Sequence, residues 1–403
     1  MSKGNVIPLA SREARLKHLI RHHLQELGFQ RDAEGRLQPP SLDKDAYRRF
    51  HRGQREEKLV ANKAWLGKHQ SSLLRWFASG SDIKPHLIRP ELELVDGRTW
   101  QSDLFRMASL YWQVPVSDGY GRRMRFLVWD RGNDKLIGIF ALGDAVFNQA
   151  ARDAAIGWDH HRRSEALVNL MDAYVLGALP PYSHLLGGKL VASLIRSREV
   201  VNAFEERYVG SRGLISKKKK SARLLAVTTT SALGRSSTYN RLQLNGRKIF
   251  EPIGFTSGWG HFHFSGSIFD ELRSYLEHVK DDYATNFEFG SGPNWRIRVI
   301  RRALERLGMD TKLAKHGFVR EVFLCKIASN ADVLLRGEGR RVLYGGLPTV
   351  REASRAALER WVIPRSERDL RYRDWLVTDL LASIHGNSPR LDLAGVQAHG
   401  LGN

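Results

Sequence analysis

Over the first ninety residues apolar positions recur at helical spacing. Leu16, Leu19, Ile20, Leu24 and Leu27 form one stripe, opposed by Arg15, Lys17, Arg21 and His22, which predicts a helix opening near Ser11 and closing at Gly28. After Pro39-Pro40, residues 43–79 set Tyr47, Phe50, Leu59, Trp65, Leu73 and Trp76 among Arg48, Arg49, Arg52, Arg55, Lys58, Lys63 and Lys68, the pattern of a second helical region. From about Leu92 the texture changes to short apolar runs. Residues 125–130 and 135–142, joined by Arg131-Gly132-Asn133-Asp134, read as a hairpin, and 154–158 as a third short run. Residues 167–179 read as a buried strand that a Pro180-Pro181 turn delivers to a helix opening near Ser183. A strand over 223–230, a short helix over 236–242 and strands through 250–264 follow. Helices are expected over 270–279, from Pro293-Asn294-Trp295 onward and from Thr349, with fraying beyond Ser388.

This order predicts an α+β fold, a central mixed sheet flanked by basic helical regions. Three parts are expected: a basic helical region over residues 1–90, an α/β core over 91–280 and a helical, Arg-rich region over 281–403. With 403 residues and 42% hydrophobic content the chain can bury a large core. No apolar run is long enough for a membrane span, and the N-terminus lacks a signal peptide's apolar centre, so no membrane association and a cytoplasmic location are expected. The single Cys325 excludes an internal disulfide and a cysteine-rich zinc site.

Charge changes the picture most. Sixty-four Lys and Arg against 43 Asp and Glu give +21, a balance that attracts polyanions, and nucleic acid, DNA first, is the partner to consider. Lys217, Lys218, Lys219 and Lys220 must lie in an exposed loop, because four adjacent ammonium groups repel. Arg298, Arg301 and Arg302 lie on the helix after Pro293, where guanidinium groups can clamp phosphates bidentately. A structural adaptor and a second copy of the chain remain open as roles for this surface.

Two places could carry chemistry. The strand-turn-helix at 167–190 aims unpaired N–H groups at one point, so Tyr182, Ser183, His184, Gly187 and Gly188 are candidate cofactor-phosphate contacts. Beside it, Asp172 and Tyr239 are candidates for proton transfer, with residues 228–231 for polar positioning. In Trp259-Gly260-His261-Phe262-His263-Phe264 a strand would turn His261 and His263 to one side. His261 is therefore a further catalytic candidate, although no spacing with His160, His161 or His184 selects a metal. The chain has no GxxxxGK[ST], no GxGxxG at a strand-to-helix turn and no GxSxG, which argues against a motor ATPase and an α/β-hydrolase.

The motifs at 135–148, 151–153, 156–158, 171–190, 227–242 and 258–264, in that order, closely resemble the DruA family of Druantia anti-phage defence systems. The resemblance extends from the first basic helix to 361–365. It implies a role in prokaryotic defence beside other Druantia subunits, including a large helicase-like partner, with phage or replicating DNA as the object. The central region is also similar to the GNAT acyltransferase superfamily. That similarity implies a GNAT-like sheet, an acyl-CoA-like donor at the turn before the helix, and Tyr239 as general acid. The turn His184-Leu185-Leu186-Gly187-Gly188-Lys189 departs from the superfamily's [QR]-x-x-G-x-[GA] at its first and last positions. A different donor for a DNA-base-modifying transferase, or a sheet kept as a DNA-binding scaffold with no cofactor, is equally implied.

Overall fold

The stripe of the first helix is buried as its spacing demands: α1 (Leu9–Glu26) turns Leu16, Ile20 and Leu24 inward. A small ladder of β1 (Gln30–Arg31) and β2 (Leu37–Gln38) follows. Next come α2 (Lys44–Phe50), whose first turn is capped by the Asp43 carboxylate accepting from Ala46 N–H, and α3 (Arg52–Leu73). The computed structural model describes residues 9–118, 121–210, 222–284 and 293–385.

Seven of the strands belong to one sheet: β3 (Pro90–Leu94), β4 (Arg123–Asp130), β5 (Lys135–Asp144), β6 (Leu170–Ala178), β7 (Ala226–Thr230), β10 (Glu251–Phe255) and β11 (Glu321–Lys326). A second small ladder pairs β8 (Gln243–Leu244) with β9 (Arg247–Lys248). The helices that cover the sheet are α4 (Trp100–Ser109), α5 (Ala150–Ile156), α6 (His160–Ala166), α7 (Gly187–Leu194), α8 (Arg198–Tyr208), α9 (Ser237–Asn240) and α10 (Ser267–His278). After them come α11 (Pro293–Arg306), α12 (Ala331–Arg336), α13 (Val350–Ala357), α14 (Ile363–Arg368) and α15 (Val377–His385). Across the sheet the order is β10-β11-β7-β6-β5-β4-β3. Every neighbouring pair is antiparallel except β6 with β7. The fold is thus α+β with a central mixed sheet, as the element order predicts.

The β4–β5 hairpin closes where expected. Asp130 accepts from Gly132 N–H at 2.8 Å, and Asp134 adopts a left-handed φ of 54°. Two expectations need correction. Residues 154–158 are not a strand: they end α5, which turns Arg152, Asp153 and Ile156 inward at helical spacing and stops at Gly157, φ 81°. Nor do strands run through 250–264. Strand β10 ends at Phe255, Trp259 makes one isolated bridge to Lys315, and the Phe264 N–H closes a turn on the His261 carbonyl at 3.0 Å. Gly258 (φ 70°) and Gly266 (φ 63°) take conformations that interrupt an extended chain there. Strand β11, buried nearly throughout and lying between β7 and β10, lacks the alternation that marks a half-exposed strand.

One sheet face, with Met171, Ala173, Val227, Phe323 and Cys325, packs beneath α7, α8 and α13. The other is covered in two parts. Helices α3, α4 and α15 lie over Leu127, Leu136, Ile139 and Val175, and α5, α6 and α12 over Leu170, Ala226 and Leu324. A fourth cluster joins α1, α2, α10 and α11 around Phe29, Phe264 and Phe318. Among the described residues no helix is long and apolar enough to cross a membrane.

Candidate functional site

Side chains alternate along β6, so Asp172 shares a face with Leu170, while Met171 and Ala173 point to the other. Leu170 lies under α5 and α6, and Tyr174 packs against the cluster under α3 and α4. Asp172 falls on the seam between these coverings. Its partner on β5 is Gly143, which adds no side chain beside it. On the other flank the Thr228 hydroxyl donates to Asp172 Oδ1 at 2.7 Å. Asp172–Thr228 is also the last register of the parallel ladder, which pairs only three residues of each strand. Past it the Thr229 hydroxyl, at 2.9 Å, bonds the Ala173 carbonyl. Burial pushes the Asp172 carboxyl up to about 6, against the Thr228 bond and the attraction of Arg152 and Arg320.

Arg320 faces the same seam from the residue before β11. Its backbone N–H donates to Thr256 Oγ1 at 3.0 Å, and its guanidinium carbon stands 5.7 Å from the centre of the Phe262 ring. The charge is felt by Asp172 and Tyr47, and burial lowers its pKa. Among the described residues, nevertheless, no hydrogen bond or ion pair holds the Arg320 guanidinium. Arg152 differs: fully buried, it is held by the Asp153 carboxylate at 2.6 and 2.8 Å and by the Val146 and Phe147 carbonyls. Arg320 escapes sequence reasoning, because an arginine ahead of an apolar run is ordinary. Only the sheet gives the residue away, by setting the strand behind it between β10 and β7.

Tyr239 reaches the parallel pair from the opposite face. Helix α9 is capped by Ser236, whose hydroxyl accepts from Tyr239 N–H. The Tyr239 ring packs against Phe250 and Phe323 near Thr229, and burial pushes its pKa up to about 12. The structure therefore brings Asp172 and Tyr239 to adjacent residues of β7, one on each side, within electrostatic reach of each other.

His261 lies elsewhere, in a buried group of rings with His51, His263, His316, Phe50, Phe262 and Phe318. Gln54 bridges His51 and His261 at 3.2 and 3.4 Å, and the Leu313 carbonyl accepts from His263 at 2.6 Å. Burial pulls His51, His261 and His263 down to about 4, and His316 falls well below its usual value. These buried rings are neutral at physiological pH. No group of three His, Cys, Asp or Glu able to hold a metal ion occurs among the described residues.

At the strand-turn-helix, Tyr182 is buried and its hydroxyl donates to Asp130 at 2.9 Å. A one-turn 3-10 segment, Tyr182–Leu185, precedes α7, and Leu186 between them is left-handed. Leu358 and Val362 close over Tyr182 and Gly187, and a Cβ on Gly187 would stand 2.5 Å from the Tyr182 carbonyl. His184 packs edge-on to Trp375, Ser183 N–H donates to the Leu179 carbonyl, and a Cβ on Gly188 would meet nothing within 4 Å. Of the five expected phosphate contacts, Tyr182 and Gly187 thus lie in packed core, and Ser183, His184 and Gly188 are part-exposed. A groove of about 590 Å³ lies apart from both places, between residues 80–87 and 372–373, with Lys84, His86 and Arg373 on its walls.

Of the cationic candidates, Lys217, Lys218, Lys219 and Lys220 lie outside the described residues. Arg298 and Arg301 are exposed on α11, whereas Arg302 is paired with Asp281 at 2.8 Å.

The sequence profile of a family described as Druantia protein DruA matches residues 41–337. A curated relative, the Druantia protein DruA of Escherichia coli (strain UMEA 4076-1), is 51% identical over 384 residues, covering 95% of each chain. No solved structure matches.

Proposed function

The chain belongs to the DruA family, a component of Druantia anti-phage defence, and from that premise we propose that it is the DNA-binding subunit of such a system. It acts with partner subunits, a helicase-like protein among them, on phage or replicating DNA. The observation that carries this reading is the formal charge of +21, with exposed Arg298 and Arg301 on one helix and four consecutive lysines at 217–220. Phosphate neutralisation by such groups supplies most of a sequence-independent affinity. A fluorescence-anisotropy titration of a duplex tests it: Arg298→Glu combined with Arg301→Glu weakens binding by about tenfold or more at moderate salt. Wild-type protein that leaves the duplex free throughout such a titration overturns the reading.

A second reading, a transferase acting on DNA bases with a GNAT-like sheet, is favoured by the parallel β6–β7 pair. The paired register ends at Thr228 beside a carboxyl raised to about 6, with Tyr239 on the other side. Against it stands the closed packing of Tyr182 and Gly187 where the donor's phosphates would sit. Binding is therefore preferred.

A further inference from the structure

Arg320 and Asp172 are two opposite charges facing one seam without touching. Arg320 is part-buried, and among the described residues its guanidinium makes no hydrogen bond or ion pair, which leaves its donors to a ligand. Asp172 spends only Oδ1 on Thr228. Gly143, its register partner on β5, adds no side chain beside it, and the Phe262 ring lies against Arg320 as an apolar face.

We propose that Asp172 and Arg320 bind the edge of a guanine base, Arg320 donating to O6 and N7 and Asp172 accepting from N1–H and the N2 amine. Guanine alone among the bases presents two neighbouring acceptors next to two neighbouring donors, which suits a forked guanidinium and a carboxylate at once. A bare phosphate suits the pair poorly, because the Asp172 carboxylate repels it. The inference rests on the DNA-binding reading and names what that reading leaves open, a base taken at a seam that a paired duplex does not enter.

The experiment titrates the full chain with single strands of roughly 12 nucleotides, an all-thymine strand and the same strand carrying one central guanine, adenine or cytosine. The guanine strand binds about tenfold more tightly than the other three. Asp172→Asn and Arg320→Gln each erase that difference, leave the all-thymine affinity near wild type and do not lower the melting temperature. Competition by free GMP identifies a site that also takes the nucleotide, and absence of competition identifies one that takes the base only within a strand; either accompanies a guanine preference and supports the pair. Equal affinity for all four strands overturns the inference while DNA binding stands. If no strand binds, the DNA reading fails, and thermal-shift titration with GMP decides the pair by itself: a stabilisation lost in Arg320→Gln supports it, and no stabilisation of wild type overturns it.

Discussion

Replacing Asp172 by Asn removes a charge that burial disfavours and keeps an oxygen to accept the Thr228 hydroxyl. The carboxyl rises from 3.8 in the unfolded chain to about 6 in the folded one, with burial the largest cause. At about 1.4 kcal/mol for each tenfold change in proton affinity, the ionised side chain costs the native state about 3 kcal/mol at neutral pH, a ceiling because the group is only half-buried. For an acid raised on folding, the contribution to stability is fully present below the unfolded value and is lost as pH rises through the folded one. The Asn variant and wild type therefore melt together near pH 3.5, and the variant melts a few degrees higher at pH 8. The charges facing Asp172 are Arg152 on α5 and Arg320 before β11, with the Tyr239 hydroxyl across β7. Both cations already act against the shift, so neither reverses its sign. Scanning fluorimetry from about pH 3.5 to 8 on both proteins measures the difference. A variant that loses stability at pH 8 refutes the reasoning, since the carboxylate would then be held by Arg320 and not strained by burial. The stabilised variant should also lose phage protection, because a strained carboxyl that serves no purpose is easily replaced.

Three other outcomes follow from the packing. Gly187→Ala destabilises by about 1–3 kcal/mol, because its Cβ would meet the Tyr182 carbonyl at 2.5 Å, whereas Gly188→Ala, with nothing within 4 Å, is neutral or gains up to about 1 kcal/mol. Denaturant titration of the two separates a packed helix start from an open one. Asp153→Asn costs about 3–5 kcal/mol by the same assay, since it leaves Arg152 buried and weakens the 2.7 Å contact to Arg163; wild-type stability would contradict this. Below about pH 6, protonation of Asp172 removes its charge, and the guanine preference declines through that pH while the all-thymine affinity holds.

What the sequence reveals follows from how each element is buried. Helix α1 is half-exposed, so its apolar spacing carries the signal, whereas the largely buried β4–β5 hairpin is found through its turn residues. Strand β6 is found because two prolines end it. Strand β11 is covered on both faces, and its short apolar run has no period to read; α5, only seven residues long, is ambiguous between strand and helix for the same reason. At the site, Asp172 and Tyr239 are legible as polar groups next to a predicted strand and helix. Arg320 is not, because its significance is the absence of a partner, which only three dimensions disclose. The strand expected at 259–264 is absent for a local reason, glycines that turn the chain into a loop and set its histidine rings among other aromatics.

The central claim, that this chain is the DNA-binding subunit of its defence system, is tested most directly by the salt dependence of duplex binding. Plotted as log affinity against log salt, wild type should give a slope of about −4 for four or five phosphate contacts, and Arg298→Ala with Arg301→Ala should flatten it by about 2. A slope near zero, or no affinity even at low salt, would contradict the account.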